Sequence, residues 1–150
     1  MEKSFMLIEI NWFEKRILIN NDNLKEIPQK DCLYQVYGDS PIYGRDVLLY
    51  IGRTNDPSRR ITDHINTDFS RINNRLFYFG QIEEKCVNPD YPMDKLLKIA
   101  ESLLITMLKP SYNSSNIKDT GEPLKGESKY LLLNLKNQGA LPLEISNIWW

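Results

Sequence analysis

The chain has 150 residues, of which 41% are hydrophobic and 26% are charged, and its formal net charge is −1. These values are ordinary for a globular protein and predict one domain over residues 1–150 with a sizeable hydrophobic core. No apolar run approaches the roughly 18 residues of a membrane-spanning helix, so no membrane partner is predicted.

The first half of the chain predicts mainly strands. Residues 5–10 and 16–19 are short β-like runs, and the Asn-rich stretch 20–23 is a turn signal. Two further runs, 32–37 and 47–51, are rich in β-branched and aromatic residues. Gly and Pro residues separate these two runs, which predicts an antiparallel hairpin with a long connection.

The second half predicts two helices and a third strand. Asn55-Asp56-Pro57 places a capping side chain before a proline, which predicts that a helix begins there. Residues 76–82 alternate as a strand does. Residues 94–108 form the strongest helical pattern, which ends before Pro110. Residues 129–135 fit a strand or a helix equally well.

The two cysteines and the N-terminal residues indicate the compartment. Cys32 and Cys86 lack metal-ligand spacing and are predicted to be reduced thiols. The short apolar stretch near the N-terminus has glutamates on both sides, which is atypical of a signal peptide. We therefore expect a cytoplasmic protein.

One carboxylate on the 94–108 helix stands out. At about 100° per residue, Glu101 falls outside the polar arc of this helix, between Leu97 and Leu108. A carboxylate at the edge of a core is costly unless it is ion-paired or bound to a metal. The pattern therefore indicates either a structural ion pair with a nearby arginine or a metal ligand.

His64 is the only histidine of the chain and follows Arg60 by one helical turn. Both side chains are therefore predicted to share a helix face and to point at the same phosphate. A histidine pKa of about 6.5 suits proton transfer near neutral pH. Arg59 points about 100° away from Arg60 on a helix.

Six dispersed residues resemble the site of the GIY-YIG nuclease family, in this chain order: Tyr34, Tyr50, Arg60, His64, Glu101 and Asn113. The second motif of the family name, Tyr50-Ile51-Gly52, is present letter for letter. The first motif reads Cys32-Leu33-Tyr34, with cysteine in the place of glycine. An alignment on Tyr43 is disfavoured because Tyr43 lies too close to Tyr50 for two strands and a turn. The resemblance covers about residues 27–116.

The resemblance implies an α/β (α+β) fold in which a small antiparallel three-stranded central sheet is flanked by helices. Residues 1–26 and 117–150 would then be N- and C-terminal flanking extensions. It also implies a divalent-metal-dependent endonuclease that hydrolyses DNA phosphodiester bonds.

The same resemblance implies a role for each site residue. Glu101 would bind Mg²⁺ or Mn²⁺, completed by waters and phosphate oxygens. Tyr34 would take the proton from the attacking water, with His64 relaying or stabilising that proton because a phenol is a poor base. Three residues would support this chemistry: Arg60 by holding the phosphate, Tyr50 by orienting phosphate or water, and Asn113 by hydrogen bonds.

The arginines are unevenly distributed, because six of the seven lie between positions 45 and 75. Arginine suits phosphate, since its planar fork donates two parallel hydrogen bonds. The resemblance implies double-stranded DNA as the partner, and four arginines are the predicted nucleic-acid contacts: Arg53, Arg59, Arg71 and Arg75. Five acidic residues between Asp39 and Asp68 dilute this cluster, so dispersed surface charges are the alternative.

Two other functions fit the sequence. The altered first motif and the acidic pI are compatible with a GIY-YIG-like module that binds nucleic acid without cutting it. The near-zero net charge and the apolar ending Trp149-Trp150 are compatible with a protein-interaction module, in which the C-terminal tail binds a protein partner or a second copy of the chain.

Overall fold

A computed structural model of the protein describes residues 5–14, 26–113 and 128–148. Its strands form one six-stranded mixed sheet with the order β3-β2-β4-β1-β5-β6. The strands are β1 (Phe5–Trp12), β2 (Cys32–Ser40), β3 (Gly44–Thr54), β4 (Leu76–Ile82), β5 (Lys129–Lys136) and β6 (Glu144–Ser146). The α-helices of the described residues are α1 (Pro57–Asn66) and α2 (Met93–Leu108), and two 3₁₀ turns lie at Glu84–Cys86 and Ser111–Asn113.

The predicted hairpin is confirmed. Strands β2 and β3 pair antiparallel, with Tyr34 opposite Gly52 and Val36 opposite Tyr50. Strand β4 pairs antiparallel with the other side of β2. Strand β3 is thus an edge strand of the sheet, and it carries Tyr50-Ile51-Gly52.

The predicted fold class is wrong, because the sheet has six strands instead of three and the described chain is mostly sheet. Strand β1 pairs antiparallel with β4 and parallel with β5, and β5 pairs with β6. The residues expected to be flanking extensions therefore supply three strands of the central sheet. Local sequence patterns do not encode this pairing, since the ladder from Phe5↔Lys129 onward joins segments that are far apart in the chain.

The two helices pack against different hydrophobic clusters. Leu33 belongs to the cluster that contains α2, whereas its neighbour Tyr34 belongs to the cluster that contains Ile61 of α1. This division follows from the alternation of side chains along a strand. The helices therefore cover opposite faces of the sheet, and both are close to its β3 edge.

The helix boundaries follow the predicted signals. The side chain of Asp56 accepts a hydrogen bond from the backbone N–H of Arg59 at 3.3 Å and so caps α1, and Pro57 lies in the first turn. Helix α2 ends at Lys109, which adopts the left-handed conformation with φ of 45° just before Pro110. The ambiguous segment near residue 130 is strand β5.

Other predictions have different outcomes. Cys32 and Cys86 are both free and buried. The predicted strand 16–19, the turn 20–23 and the tail Trp149-Trp150 lie outside the described residues. Within the part of the chain that the structure describes, no helix is both long and apolar enough to span a membrane.

Candidate active site

Two stacked tyrosines form the centre of the site. Tyr34 on β2 and Tyr50 on β3 have ring centroids 5.9 Å apart and an interplanar angle of 29°. Tyr34 is fully buried, and Tyr50 is 7% exposed. The residues paired opposite them on the neighbouring strand are Gly52 and Val36, respectively, so the two rings meet diagonally across the hairpin.

Gly52 makes room for this pair of rings. A Cβ atom on Gly52 would lie 2.5 Å from Cζ and Oη of Tyr34 and 2.7 Å from Cε1 of Tyr50. No real Cβ approaches other atoms so closely, so any side chain here would displace the tyrosines. The glycine of the Tyr-Ile-Gly motif is therefore required by the position of Tyr34 above the β3 backbone.

His64 of α1 contacts both tyrosines. Its Nε2 lies 2.9 Å from the hydroxyl of Tyr34, and its ring meets the ring of Tyr50 edge-on at 5.3 Å. The imidazole also stacks on Phe69, with centroids 4.5 Å apart, and it is only 2% exposed. The lone histidine is thus held firmly against the tyrosine pair.

Asp68 also belongs to the site, although the sequence analysis missed it. Its Oδ2 lies 3.1 Å from Nδ1 of His64, on the opposite side of the ring from Tyr34. A usable signal was present, because Asp68 follows the only histidine by four residues, the spacing at which helical side chains meet.

Arg60 lies one turn before His64 and is exposed on α1. Its positive charge acts on the phenols of both Tyr34 and Tyr50. Although partial burial acts in the opposite direction, these two phenols raise the pKa of Arg60, so it stays charged. Arg59 is also exposed, and its backbone N–H is bound to the capping Asp56.

At neutral pH the unprotonated group available to accept a proton is His64, because both phenols keep their protons. Burial, reinforced by the neighbouring Tyr50, raises the pKa of Tyr34, and burial likewise raises the pKa of Tyr50. Burial and the charge of Arg60 lower the pKa of His64, while Asp68 acts in the opposite direction. Both phenols are therefore protonated and His64 is neutral at pH 7, which leaves one ring nitrogen free to accept a proton.

Glu101 lies on α2, with 19% of its side chain exposed, and it forms an ion pair. The Nε–H of Arg53 donates to its Oε2 at 3.0 Å, and Nη1 of Arg53 lies 3.5 Å from Asp94. Burial raises the pKa of Glu101, and the charge of Arg53 opposes this. The structural ion pair anticipated as one interpretation of Glu101 is therefore present. Arg53, which was predicted to contact nucleic acid, forms ion pairs with two carboxylates of α2.

Few of the described side chains near Glu101 could coordinate a metal ion. Among the described residues, no cluster of three or more His, Cys, Asp or Glu side chains is placed to hold a metal ion. Mg²⁺ often binds through one or two carboxylates, with waters and substrate phosphates completing its shell. A single partly buried carboxylate fits that mode of binding once Arg53 releases it, and it does not fit a site made of protein ligands alone. Mg²⁺ or Mn²⁺ binding at Glu101 stays a prediction.

Asn113 hydrogen-bonds to the backbone of β3. This fully buried side chain accepts a hydrogen bond from the N–H of Ile51 at 3.0 Å and donates one to the C=O of Ile51 at 2.8 Å. Among the described residues β3 is the outer strand of the sheet and has no strand partner on this side, so Asn113 takes the place of one. The amide therefore holds the strand between Tyr50 and Gly52.

Arg71 and Arg75 are the remaining arginines that were predicted to contact nucleic acid, and their surroundings differ. Arg71 is exposed in the turn after α1. Arg75 is half-buried and donates to the backbone C=O groups of Phe69 at 2.9 Å and Ile65 at 3.4 Å. Arg75 thus supports the turn that carries Asp68. Nucleic-acid binding by these arginines stays a prediction.

Comparison of the chain with protein-family models, with curated proteins and with solved structures finds no match. The function must therefore be inferred from the geometry of the site itself.

Proposed function

We propose that the protein is a divalent-metal-dependent endonuclease that hydrolyses DNA phosphodiester bonds. The observation that carries this proposal is the hydrogen bond between the hydroxyl of Tyr34 and Nε2 of His64, with the positive charge of Arg60 acting on both phenols. This arrangement combines a proton acceptor, a proton carrier and an anion-binding group within one cluster, as phosphodiester hydrolysis requires.

The proton path runs from water to the imidazole. As the oxygen of the attacking water bonds to phosphorus, its proton passes to Oη of Tyr34, whose own proton passes to Nε2 of His64. The phosphorus–oxygen bond to the leaving strand breaks, and the leaving oxygen takes a proton from solvent. The hydrogen bond of 2.9 Å is short enough for direct proton transfer, and the lowered pKa of His64 keeps the acceptor neutral beforehand.

Arg60 has two roles in this proposal. Its fork donates to the phosphate and neutralises the negative charge that develops in the transition state. Tyr34 is fully buried and its phenol is subject to the charge of Arg60, so its hydroxyl becomes accessible to water when the guanidinium turns to a bound phosphate. Substrate binding would therefore uncover the base.

The other predicted residues support this chemistry. Glu101 would hold Mg²⁺ or Mn²⁺, which when bound supplies Lewis-acid stabilisation of the phosphate charge. Tyr50, stacked on Tyr34 and subject to the charge of Arg60, orients the phosphate or the water. Asn113 keeps the β3 backbone in place beneath Tyr50 through its two hydrogen bonds to Ile51.

One observation favours a second candidate, a module that binds nucleic acid without cutting it. Glu101 is ion-paired with Arg53 at 3.0 Å, and a carboxylate held in this way lacks the free charge that a metal ion requires. In this second function the exposed arginines of α1 and of the following turn would contact phosphates, and Glu101 would serve only the fold.

A plasmid-nicking assay distinguishes the two functions. Supercoiled DNA is incubated with the protein while Mg²⁺ or Mn²⁺ is titrated and, in parallel, with EDTA; a single-stranded RNA of similar length is tested beside it. Metal-dependent nicking that is lost in the Glu101→Gln variant supports the nuclease. DNA binding at fixed salt without nicking at any metal concentration supports the binding module instead.

A further inference from the structure

We propose that Asp68 is the positioning residue of the site: its carboxylate holds the proton of His64 on Nδ1, so that Nε2 is the unprotonated nitrogen that faces Tyr34. This inference deepens the proposed nuclease function and rests on it for its catalytic consequence. The hydrogen bonding of Asp68 to His64 is independent of that function.

The donor and acceptor inventory of the three side chains carries the argument. An ionised carboxylate only accepts hydrogen bonds, so the contact of 3.1 Å between Oδ2 of Asp68 and Nδ1 of His64 requires a proton on Nδ1. A neutral imidazole has a single N–H, and Nε2 is then an acceptor. The hydroxyl of Tyr34, at 2.9 Å, must therefore donate to Nε2, which is the direction that proton transfer needs.

The position of Asp68 is determined by the turn that ends α1. The backbone N–H of Phe69 donates to the C=O of His64 at 2.8 Å, which folds the chain back over the helix end. Phe69 then stacks on the imidazole at 4.5 Å, with an interplanar angle of 23°. The ring is thus held on one face by Phe69 and at its two nitrogens by Asp68 and Tyr34.

Asp63 provides a matched control for Asp68, because both carboxylates are exposed and both act on His64. Asp68 hydrogen-bonds to His64, and its side chain is 67% exposed. Asp63 is also exposed on α1 and acts on His64 only through its charge. Replacing either aspartate by alanine removes the same charge, but only the replacement of Asp68 removes the hydrogen bond to His64.

The charged and titratable groups around His64 come from each element packed against it. Tyr34 comes from β2, Tyr50 from β3, Arg60 and Asp63 from α1, and Asp68 from the turn. Arg60 lowers the pKa of His64, whereas Asp68 raises it through its hydrogen bond and charge. Loss of Asp68 should therefore lower the pKa of His64 further.

Nitrogen NMR of the full chain tests the proposal directly, because His64 is the only histidine and gives one set of ring signals. In ¹⁵N-histidine-labelled protein near pH 7.5, we expect the Nδ1–H tautomer for the wild type and for Asp63→Ala. In Asp68→Ala, we expect a shift toward the Nε2–H tautomer and a lower pKa of His64. An unchanged tautomer in folded Asp68→Ala, or an Nε2–H tautomer in the wild type, would overturn the proposal.

Cleavage kinetics test the catalytic consequence. Partners that orient a functional histidine typically contribute on the order of 10- to 100-fold, and we expect a rate loss of that size for Asp68→Ala and little loss for Asp63→Ala. A tautomer change without a rate loss would refute the positioning role. If the wild type does not cut DNA while the tautomer changes as expected, the nuclease proposal fails and the assignment of Asp68 to His64 stands.

Discussion

The hydroxyl of Tyr34 and Nε2 of His64 lie 2.9 Å apart, inside the protein, with both side chains almost completely shielded from solvent. Tyr34 comes from a strand and His64 from the helix that covers it, so the contact depends on the packing of α1 on the sheet. Burial disfavours charge on either group. The position of a proton between them therefore depends on the charge of Arg60 and on the hydrogen bond and charge of Asp68. This pair is the natural place to begin testing the site.

Replacement of Tyr34 by phenylalanine should abolish cleavage while DNA binding is retained. Only the hydroxyl is lost, and the ring still packs against Tyr50 and Phe79. Loss of a positioned proton-transfer group typically costs about 10²- to 10⁴-fold in rate. Tyr43→Phe is the control, since Tyr43 is 67% exposed at the hairpin turn. Single-turnover cleavage and a binding titration at one salt concentration measure both, and an active Tyr34→Phe beside an inactive Tyr43→Phe would overturn the assignment.

Arg60→Ala should impair cleavage far more than Arg59→Ala. The charge of Arg60 acts on both phenols, whereas Arg59 is a neighbouring exposed charge on the same helix. Removal of a transition-state donor costs on the order of 10²-fold or more. The two variants have the same net charge, so their cleavage rates at equal DNA saturation isolate the position of the guanidinium. Equal losses would mean that general positive charge, and no specific phosphate contact, is responsible.

Glu101→Ala should abolish metal-dependent cleavage and leave the protein folded. Arg53, 34% exposed, can turn to solvent or to Asp94, so the free energy of unfolding should change by about 1 kcal/mol or less. Asp94→Ala is the matched control, because it removes the other carboxylate partner of Arg53 and should keep wild-type activity. Circular dichroism melts and nicking assays with titrated Mn²⁺ give the two readouts. A folded, fully active Glu101→Ala would eliminate Glu101 as the metal ligand.

Gly52→Ala should inactivate the site by displacing its tyrosines. The added methyl group would lie 2.5 Å from the Tyr34 hydroxyl, so the ring must move away from His64. Gly38→Ala is a useful comparison, because its methyl group would collide with the side chain of Ile72, and Ile72 is not one of the site side chains. Both variants should lower stability, but only Gly52→Ala should change the His64 NMR signals in protein that is still folded. Unchanged signals would show that Gly52 does not control the site.

Asn113→Ala should destabilise the protein strongly. The change leaves the buried N–H and C=O of Ile51 without their side-chain partner, and each unsatisfied buried group costs about 1–3 kcal/mol. We expect a loss of about 3 kcal/mol in the free energy of unfolding, measured by urea denaturation. Asn73→Ala, at an exposed position of a turn, should change it by less than about 0.5 kcal/mol. A near-neutral Asn113→Ala would mean that water replaces the amide.

Local patterns in the sequence determined the elements nearest the site. The Asp56-Pro57 cap, the alternation in 76–82 and the long apolar stripe of α2 depend on neighbours a few residues away, and all three produced the expected elements. The grouping of the six motif residues was implied by the resemblance to GIY-YIG nucleases, and the structure gathers Tyr34, Tyr50, Arg60 and His64 into one cluster. Periodicity and capping act within one element, so one sequence suffices to recognise them.

Tertiary structure alone decided how distant segments meet. The parallel pairing of β1 with β5 turned the expected extensions into half of the sheet. The choice of Arg53 as the partner of Glu101 depended on the placement of α2 beside β3. Such contacts join residues that are far apart along the chain, and their free energy is gained only after the chain has closed large loops. Nothing in a local window of sequence encodes that closure, and therefore the six-stranded sheet and the ion pair at Glu101 emerge only from the folded protein.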